Sequence, residues 1–432
     1  MDSKQQLTRH SRHKINLAAR QNGIALVMFV IGLLGVLLIG GLALDSAHVM
    51  LNKTRLQNSV DAAALAAASV LDSSTSVTDA EAAARAVFAG NSAAAGNREM
   101  NNLLAAADVV VEFSADLDPF ISGTGPAEYV RVSVQRTKFM LPKWLVQVAS
   151  MKSGATINKY VGASAVAGPS PTLGHVCDLV PLIICGDPDQ PAPFFGYQDD
   201  EVTVLKGGSK SGSSSTCGDI GSGNFQLAQI GGSGANVVRE NLAGGYEGCS
   251  LLGDTIETSL GVEAGPVAQG INTRLGLYAG PISPADYPPD VVTETPSSDI
   301  SYDEAACNIM FDGEVVQDSG DIDFNYTNYQ DRVAYEIFDH SPTLGGAYDR
   351  RNMAVVIADC GTGSNTGQSS LPILGFGCFF LLQEVKQKGN EAEMYGEFVA
   401  DCNAKGAAGP LPTNVPGPHT IQLYNDPDSK DS

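Results

Sequence analysis

The stretch RQNGIALVMFVIGLLGVLLIGGLALD, residues 20–45, decides how the rest of the chain is arranged. From Ile24 to Leu44 it contains no charged residue and no proline. As an α-helix rising about 1.5 Å per residue, this run spans about 31 Å, which matches the hydrocarbon core of a bilayer. It has no polar face, which argues against a buried helix of a soluble domain. The run is therefore predicted to be a transmembrane helix.

The charges on the two sides of this run differ in sign. The whole chain has 48 acidic and 26 basic side chains, a net charge of −22, which excludes a nucleic-acid binder for the chain as a whole. Before the run, Asp2 is outnumbered by the basic residues Lys4, Arg9, Arg12, Lys14 and Arg20. Basic residues hold their end of a membrane helix in the cytoplasm. We therefore expect a single-pass membrane protein with its N-terminus in the cytoplasm and the bulk of the chain on the far side, which in a bacterial cell is the periplasm or the outer surface.

A cleaved signal peptide is the alternative reading of the run. Small residues after it allow cleavage near Ala47. The apolar region of a signal peptide is usually about 7–15 residues long, however, and this one is longer. A retained anchor is the preferred interpretation.

The helical pattern continues beyond the apolar run. No glycine or proline occurs from Asp45 to Leu71, and the segment is rich in Ala and Leu. Apolar residues recur at steps of three and four, which predicts one helix of about 50 residues from Asn22 to Leu71. The sequence DSSTS, 72–76, is predicted to end it.

Nine residues of this helix carry a resemblance to a known family: Asp45, Leu56, Gln57, Asn58, Asp61, Ala62, Ala63, Ala64 and Leu65. An apolar helix with an acidic residue at its outer end, followed by LQNSVDAAALAAA, resembles the N-terminal segment of TadG-like and TadE/TadG-like proteins of tight-adherence (Flp) pilus assembly. Val60 replaces the usual small residue. The resemblance implies helix packing through the alanines. Asp45 and Asp61 would either pair with basic groups of a neighbour or mark the boundary with water.

The resemblance also bears on processing. Related pseudopilins are cleaved after a glycine that is followed, five residues on, by a glutamate. Gly23 is present, but the fifth residue after it is Met28. The chain is therefore expected to keep its anchor, as TadG-like members generally do.

The rest of the chain predicts an α+β fold. Alternating residues predict strands within 107–116, 127–140 and 155–168, with a helix at 78–91 and a short helix at 141–149. Beyond the linker GPSPT, short apolar runs between Gly-rich turns predict a mainly β domain. The expected domains are a basic cytoplasmic tail, 1–20; the membrane helix and its extension, 21–71; an α+β exported domain, 72–170; a cysteine-containing β-rich domain, 173–405; and a disordered tail, 406–432.

All eight cysteines lie between Cys177 and Cys402. An even number confined to one region favours disulfides in an oxidising compartment, and buried unpaired cysteines are the alternative. Cys177 with Cys185, and Cys360 with Cys378, are the candidate pairs. The absence of a CxxC motif argues against a zinc ribbon.

No catalytic motif is found. The six histidines have no metal-binding spacing, and the chain lacks a GxSxG elbow, a P-loop and a dinucleotide fingerprint. Two acidic stretches have partial cation-loop spacing: Asp72, Ser74 and Ser76, better read as a helix end, and Asp321, Asp323 and Asn325, better read as a solvated turn. No cofactor, no metal and no enzymatic activity are expected.

Two functions fit these observations. The first is a non-enzymatic, membrane-anchored component of Flp/Tad-type pilus assembly or secretion that acts through protein–protein contacts. Its partners would be membrane lipid and other pilus assembly or pseudopilin proteins, with self-association left open and nucleic acid excluded. The second is a surface-exposed minor pilin or adhesin whose β-rich domain binds a ligand.

Overall fold

The structure is a computed structural model that describes residues 22–123, 125–142, 158–206, 224–260, 264–303, 305–362, 368–388, 391–409 and 417–429. Most of the short helix predicted at 141–149 lies outside these ranges. Six α-helices lie within them: α1 Asn22–Ser74, α2 Val77–Ala93, α3 Arg98–Leu103, α4 Ala235–Glu240, α5 Ala264–Ile271 and α6 Tyr326–Ala334.

The helix α1 is continuous over 53 residues. Its Ala- and Leu-rich sequence has no proline to break the backbone hydrogen bonds. It ends where Thr75 adopts a positive φ of 53°. The Ser76 side chain then accepts a hydrogen bond from the Asp79 amide and caps α2. The prediction of one long helix that ends within DSSTS is confirmed.

The first sheet is antiparallel, with the order β1–β2–β3–β21. Its strands are β1 Val109–Ser114, β2 Tyr129–Leu141, β3 Lys159–Pro169 and β21 Ile421–Tyr424. The first three lie where alternation predicts strands, whereas the fourth comes from the segment expected to be disordered. That part of the prediction is wrong, because the open edge of β3 offers backbone partners that Ile421–Tyr424 take up in register with Val166–Pro169.

The second half of α1 packs on this sheet. Leu56, Val60 and Leu71 are at most 3% exposed and share one hydrophobic core with α2 and the strands. The helix extension, the described residues of 72–169 and β21 therefore form a single packed body, here called the helix–sheet unit.

The second body, here called the β-rich unit, consists of the described residues of 173–409 and of Pro418–His419. Its main sheet has the order β5–β13–β14–β17–β6, and β9 joins β14 to β7. Its strands are β4 Leu173–Cys177, β5 Ile183–Cys185, β6 Val202–Lys206, β7 Asn224–Ala228, β8 Cys249–Leu251, β9 Thr255–Leu260, β10 Ser301–Asp303, β11 Asn308–Phe311, β12 Glu314–Val315, β13 Asn352–Ala358, β14 Ser370–Leu381, β15 Gln387–Lys388, β16 Glu391–Ala392, β17 Met394–Val399, β18 Cys402–Asn403, β19 Lys405–Ala408 and β20 Pro418–His419.

The main sheet is covered on both faces. Successive side chains of a strand point to opposite faces, so Phe379 and Phe380 of β14 lie in different cores. The first core includes residues of α4 and α5, and the second includes Tyr329 and Val333 of α6. The overall α+β class is confirmed, and the central strands β13 and β14 are buried over most of their length.

Disulfides link Cys177 to Cys249, Cys185 to Cys360, and Cys378 to Cys402. Cys307 is also disulfide-bonded. The expected pairings of Cys177 with Cys185 and of Cys360 with Cys378 are wrong. Cys177 lies opposite Cys249 in the β4–β8 pair. Cys378 lies opposite Ala354 in the β13–β14 pair, whereas Cys360 lies beyond the end of β13, in a 3₁₀ turn at Cys360–Thr362.

We predict that β21 is required for the stability of the helix–sheet unit. Ending the chain after Thr420 removes the strand paired with β3, keeps β20 and the contact between His419 and Asp72, and exposes a sheet edge. Hydrogen exchange followed by mass spectrometry should show amide exchange in β3 rising by about tenfold or more, the loss of roughly 1–2 kcal/mol of hydrogen bonding. A chain ended after Ser429 keeps β21 and is the control. Equal exchange in the two truncated chains would contradict this role.

Candidate functional site at the base of the helix–sheet unit

The helix α1 has two halves in different environments. From Ala25 to Leu44 the apolar side chains are exposed, with Phe29 at 68% and Ile39 at 73%. From Asp45 onward one face of the helix is buried. Within the described residues, α1 is the helix long and apolar enough to cross a membrane, judged by length and composition.

Asp45 lies at the boundary between the two halves. Its carboxylate accepts a hydrogen bond from the Lys159 ammonium at 2.6 Å, and both side chains are buried. Lys159 is the first residue of β3, so this ion pair fastens the helix to the base of the sheet. Of the two roles considered for Asp45, the structure shows a basic partner, and that partner is in the same chain.

A second polar contact lies one turn above. Glu99, in α3, contacts His48 Nε2 at 2.5 Å and accepts a hydrogen bond from the Asn52 amide at 2.9 Å. Asp45, His48 and Asn52 are all buried. The helix therefore meets the folded unit through a row of polar groups that face protein.

The alanines of the resemblance motif lie against the same chain. Ala63 and Ala64 are fully buried, and they share a core with Ala163 and Ala165 of β3 and with Ala80 of α2. Small side chains on both sides allow the helix to approach the sheet closely. Leu56 is buried, whereas Ala62 and Leu65 are half-buried.

The polar residues of the motif have separate positions. The Gln57 amide donates hydrogen bonds to Asp61 at 2.8 Å and to the backbone carbonyl of Ser164 at 2.9 Å. Asn58 is exposed. Asp61 therefore has an intrahelical amide partner, and Asn58 faces away from the core.

The far end of α1 contacts the segment that leads into β21. Asp72 and His419 Nε2 are 2.8 Å apart. Burial lowers the pKa of His419, but the hydrogen bond and charge of Asp72 outweigh it, so the net pKa is raised. The helix thus has an acidic contact at each end of its buried half.

A cavity of about 500 Å³ lies beside this far end, between α1, α2 and α6. Burial, together with the charges of Asp290 and Asp72, raises the pKa of Asp349 to about 8. The cavity is lined by Ser69, Val70, Ser73, Ser74, Asp79, Ala82, Val333, Glu336, Tyr348, Asp349 and Asn403.

The two acidic stretches with partial cation-loop spacing lie at helix ends and in a turn. In the first, Asp72 and Ser74 belong to the last turn of α1, and Ser76 caps α2. In the second, Asn325 caps α6, while Asp321 and Asp323 accept hydrogen bonds from the amides of Gln317 and Ser297. A helix end and an acidic turn are therefore the correct descriptions.

The comparison with known protein families matches the helix α1. Residues 23–70 match the family described as putative Flp pilus-assembly TadE/G-like. These residues form a TadE/G-like domain. The matched segment includes both halves of α1 and ends four residues before the helix does. No curated protein and no solved structure matches the chain.

The sequence did not reveal the partners of these residues. Lys159, Glu99 and His419 are distant in sequence from the helix positions that they contact. The one available signal was Lys159, which begins a strand of small apolar residues. A buried cation needs an anion nearby, so this lysine indicated an acidic partner.

We predict that Lys159→Met loosens the helix from the sheet. Removing one partner of a buried ion pair leaves the other uncompensated and typically costs about 3–5 kcal/mol. Amide exchange in β3 should therefore rise by about a hundredfold or more. Lys138→Met is the matched control, because Lys138 is half exposed and its ion pair with Asp108 is worth at most about 1 kcal/mol. Similar exchange in both variants would contradict the proposed role of Lys159.

We predict that the β-rich unit is more stable in acid than at alkaline pH. The raised pKa means that folded Asp349 holds a proton that the unfolded chain releases above about pH 4. This contribution is complete below the unfolded pKa and is lost as pH rises through about 8. Thermal unfolding measured below and above about pH 8 should show this loss of stability, and the Asp349→Asn variant should show a smaller loss. Asp331→Asn, on an exposed face of α6, should leave the pH dependence unchanged.

Proposed function

We propose that the protein is a single-pass, non-enzymatic component of Flp/Tad-type pilus assembly, anchored in the bacterial inner membrane. The observation that carries this proposal is α1 itself. Its first half exposes apolar side chains all round, its second half is built into a folded unit, and the TadE/G-like match covers both.

The orientation of the chain follows from two independent features. The basic residues of the N-terminal 20 residues favour the cytoplasm. The disulfides of the β-rich unit are typical of an oxidising compartment. Both features support a periplasmic location for everything after α1.

The protein would act through contacts with other membrane components of the assembly system. Asn58 is the motif residue that the fold leaves exposed, and Met50 and Thr54 are exposed on preceding turns of α1. Residues at these spacings share one helix face. This face of α1 is therefore the surface we assign to partner contacts.

A surface-exposed minor pilin or adhesin is the second candidate. The cavity beside Asp349 favours it, because a ligand-binding head needs a concave site and the volume falls in the usual range of about 300–1,000 Å³. Its carboxylate and hydroxyl groups would suit a cationic or hydroxyl-bearing ligand.

We predict that the mature protein keeps its N-terminal residues and fractionates with the inner membrane. Intact-mass spectrometry of the purified protein should find the basic tail, since Met28 stands where a processed pilin carries glutamate. A mature chain that begins at Ile24 and is found in sheared fibres would overturn this proposal in favour of the minor pilin. A Met28→Glu variant is the informative control, because it restores the missing carboxylate without changing the rest of the helix.

A further inference from the structure

We propose that the cavity between α1, α2 and α6 is a docking site for a basic side chain of a partner protein, an arginine or a lysine flanked by apolar residues. This inference rests on the proposed function, because it takes the protein to act through protein–protein contacts. It adds a second contact site, at the end of α1 farthest from the apolar run, and it names the chemistry that this site recognises.

The first observation is that the cavity wall carries carboxyl groups without a matching basic group. Asp79, Glu336 and Asp349 all line it, and the described residues that line it include no lysine, arginine or histidine. None of the three makes an ion pair within the described part of the chain. Asp349 accepts a hydrogen bond from the neutral Asn352 amide at 3.2 Å. Burial raises the pKa of Tyr348, in the same wall, and the charges of the three carboxylates raise it further.

The second observation is that serine hydroxyl groups of the lining already donate their protons within α1. The Ser73 hydroxyl donates to the Ser69 carbonyl at 3.0 Å, and the Ser74 hydroxyl donates to the Val70 carbonyl at 2.6 Å. A hydroxyl group has one proton, so these two oxygens remain only as acceptors. Lysine and arginine side chains have several N–H donors and no acceptor. The polar wall of the cavity therefore complements a cationic side chain.

The spacing of the carboxyl groups argues against a metal ion. Among the described residues, three potential metal-ligand atoms lie within 4.8 Å of one another at His175, Cys177 and Cys249, where the cysteines form a disulfide, and not in the cavity. The three carboxyl groups of the cavity are thus too far apart to share one ion. The volume of about 500 Å³ also exceeds the roughly 30 Å³ that one water occupies in the liquid. An organic cation fits this space better.

Apolar surface inside and beside the cavity favours a protein side chain over a free small cation. Val70 and Val333 line the cavity and can pack against the methylene stem of a lysine or an arginine. Tyr335 and Ile337, the chain neighbours of Glu336, are 76% and 51% exposed. Exposed apolar groups next to a polar site are typical of a protein-binding surface. They would contact the residues that flank the basic one.

The test measures the binding of a dye-labelled tripeptide amide, leucyl-arginyl-leucine, to the full-length protein in phosphatidylcholine nanodiscs by fluorescence anisotropy. The same peptide with citrulline in place of arginine is the uncharged control of similar shape. It should bind about tenfold or more weakly, because it lacks the charge-assisted hydrogen bonds. Agmatine, which carries a guanidinium group without apolar flanks, and Ca²⁺ should each compete at least about tenfold less well than the unlabelled arginyl peptide.

Two matched pairs of variants locate the binding site. Asp79→Asn with Glu336→Gln should weaken binding of the arginyl peptide by about tenfold or more. Asp312→Asn with Glu314→Gln makes the same charge change at an exposed turn of the β-rich unit and should leave the affinity unchanged.

The second pair removes no native contact and so guards against loss of folding. Ala82 is exposed, lines the cavity and lies three residues after Asp79 on α2. Ala82→Lys places an ammonium group next to the site, where it should reduce peptide binding by about tenfold or more. Ala86→Lys adds the same charge one turn farther along the helix, outside the lining, and should bind the peptide normally.

The carboxyl group of Asp349 makes binding depend on pH. Its pKa of about 8, raised by burial and by the charges of Asp290 and Asp72, means that it holds a proton at neutral pH. A cation favours the ionised form, so binding releases this proton and the affinity should rise between pH 6 and 8. His419, whose pKa is raised, loses its charge in the same direction, and Asp349→Asn separates the two by reducing the rise. The titratable groups around Asp349 and the cavity are Asp72, Asp79, Asp290, Glu336, Tyr348 and His419.

Three results would overturn the inference: equal binding of the citrulline peptide, equal competition by agmatine or Ca²⁺, or equal affinity within either pair of variants. Equal competition by agmatine would point to a small ligand and favour the adhesin. Fractionation tests the proposed function separately. A protein that stays in the inner membrane but does not select arginine loses the docking site alone. A protein recovered in sheared fibres loses the assembly role, and with it the partner named here.

Discussion

A single continuous helix has to satisfy two surroundings, and the change between them takes place at Asp45. From Ala25 to Leu44 the apolar side chains of α1 are exposed, and Gly41, one turn before Asp45, is already buried. After Asp45, one face must pack against a sheet while the other remains exposed. The ion pair between Asp45 and Lys159 lies at the point of change, where an unpaired charge would be most costly. The height and the register of the sheet relative to the helix both follow from this contact.

The alanine-rich sequence above Asp45 has an explanation within the chain. Helix and sheet approach each other through methyl groups on both sides, since Ala63 and Ala64 lie in the same core as Ala163 and Ala165. Close packing of small residues is sensitive to added volume. A sequence pattern that resembles a surface for helix association is therefore, over much of its length, the buried face of one folded unit. Asn58 and the exposed residues near it lie outside this buried face.

The β-rich unit is inserted between two strands of the helix–sheet unit. The chain leaves the first sheet at the end of β3 and returns as β21 to pair with the same strand. Arg131 of β2 reinforces the return by contacting Asp426 and Asp428. Both ends of the β-rich unit are thus tied to one sheet.

The sequence by itself determined the long helix, its apolar first half, the first three strands and the α+β class. These features follow from composition and periodicity, which act over short distances along the chain. It also determined the TadE/G-like segment, because that pattern is contiguous. The alternation of apolar residues could not show that β14 is buried on both faces by helices from three separate segments.

Only the tertiary structure decided which residues meet. Lys159 is 114 positions from Asp45, and His419 is 347 positions from Asp72. The partners of the cysteines depend on strand register and sheet order, as Cys177 opposite Cys249 shows. The polar tail looked disordered because its composition is that of a loop, yet four of its residues complete a sheet whose edge would otherwise be open. Contacts between distant segments depend on topology, which local sequence preferences do not encode.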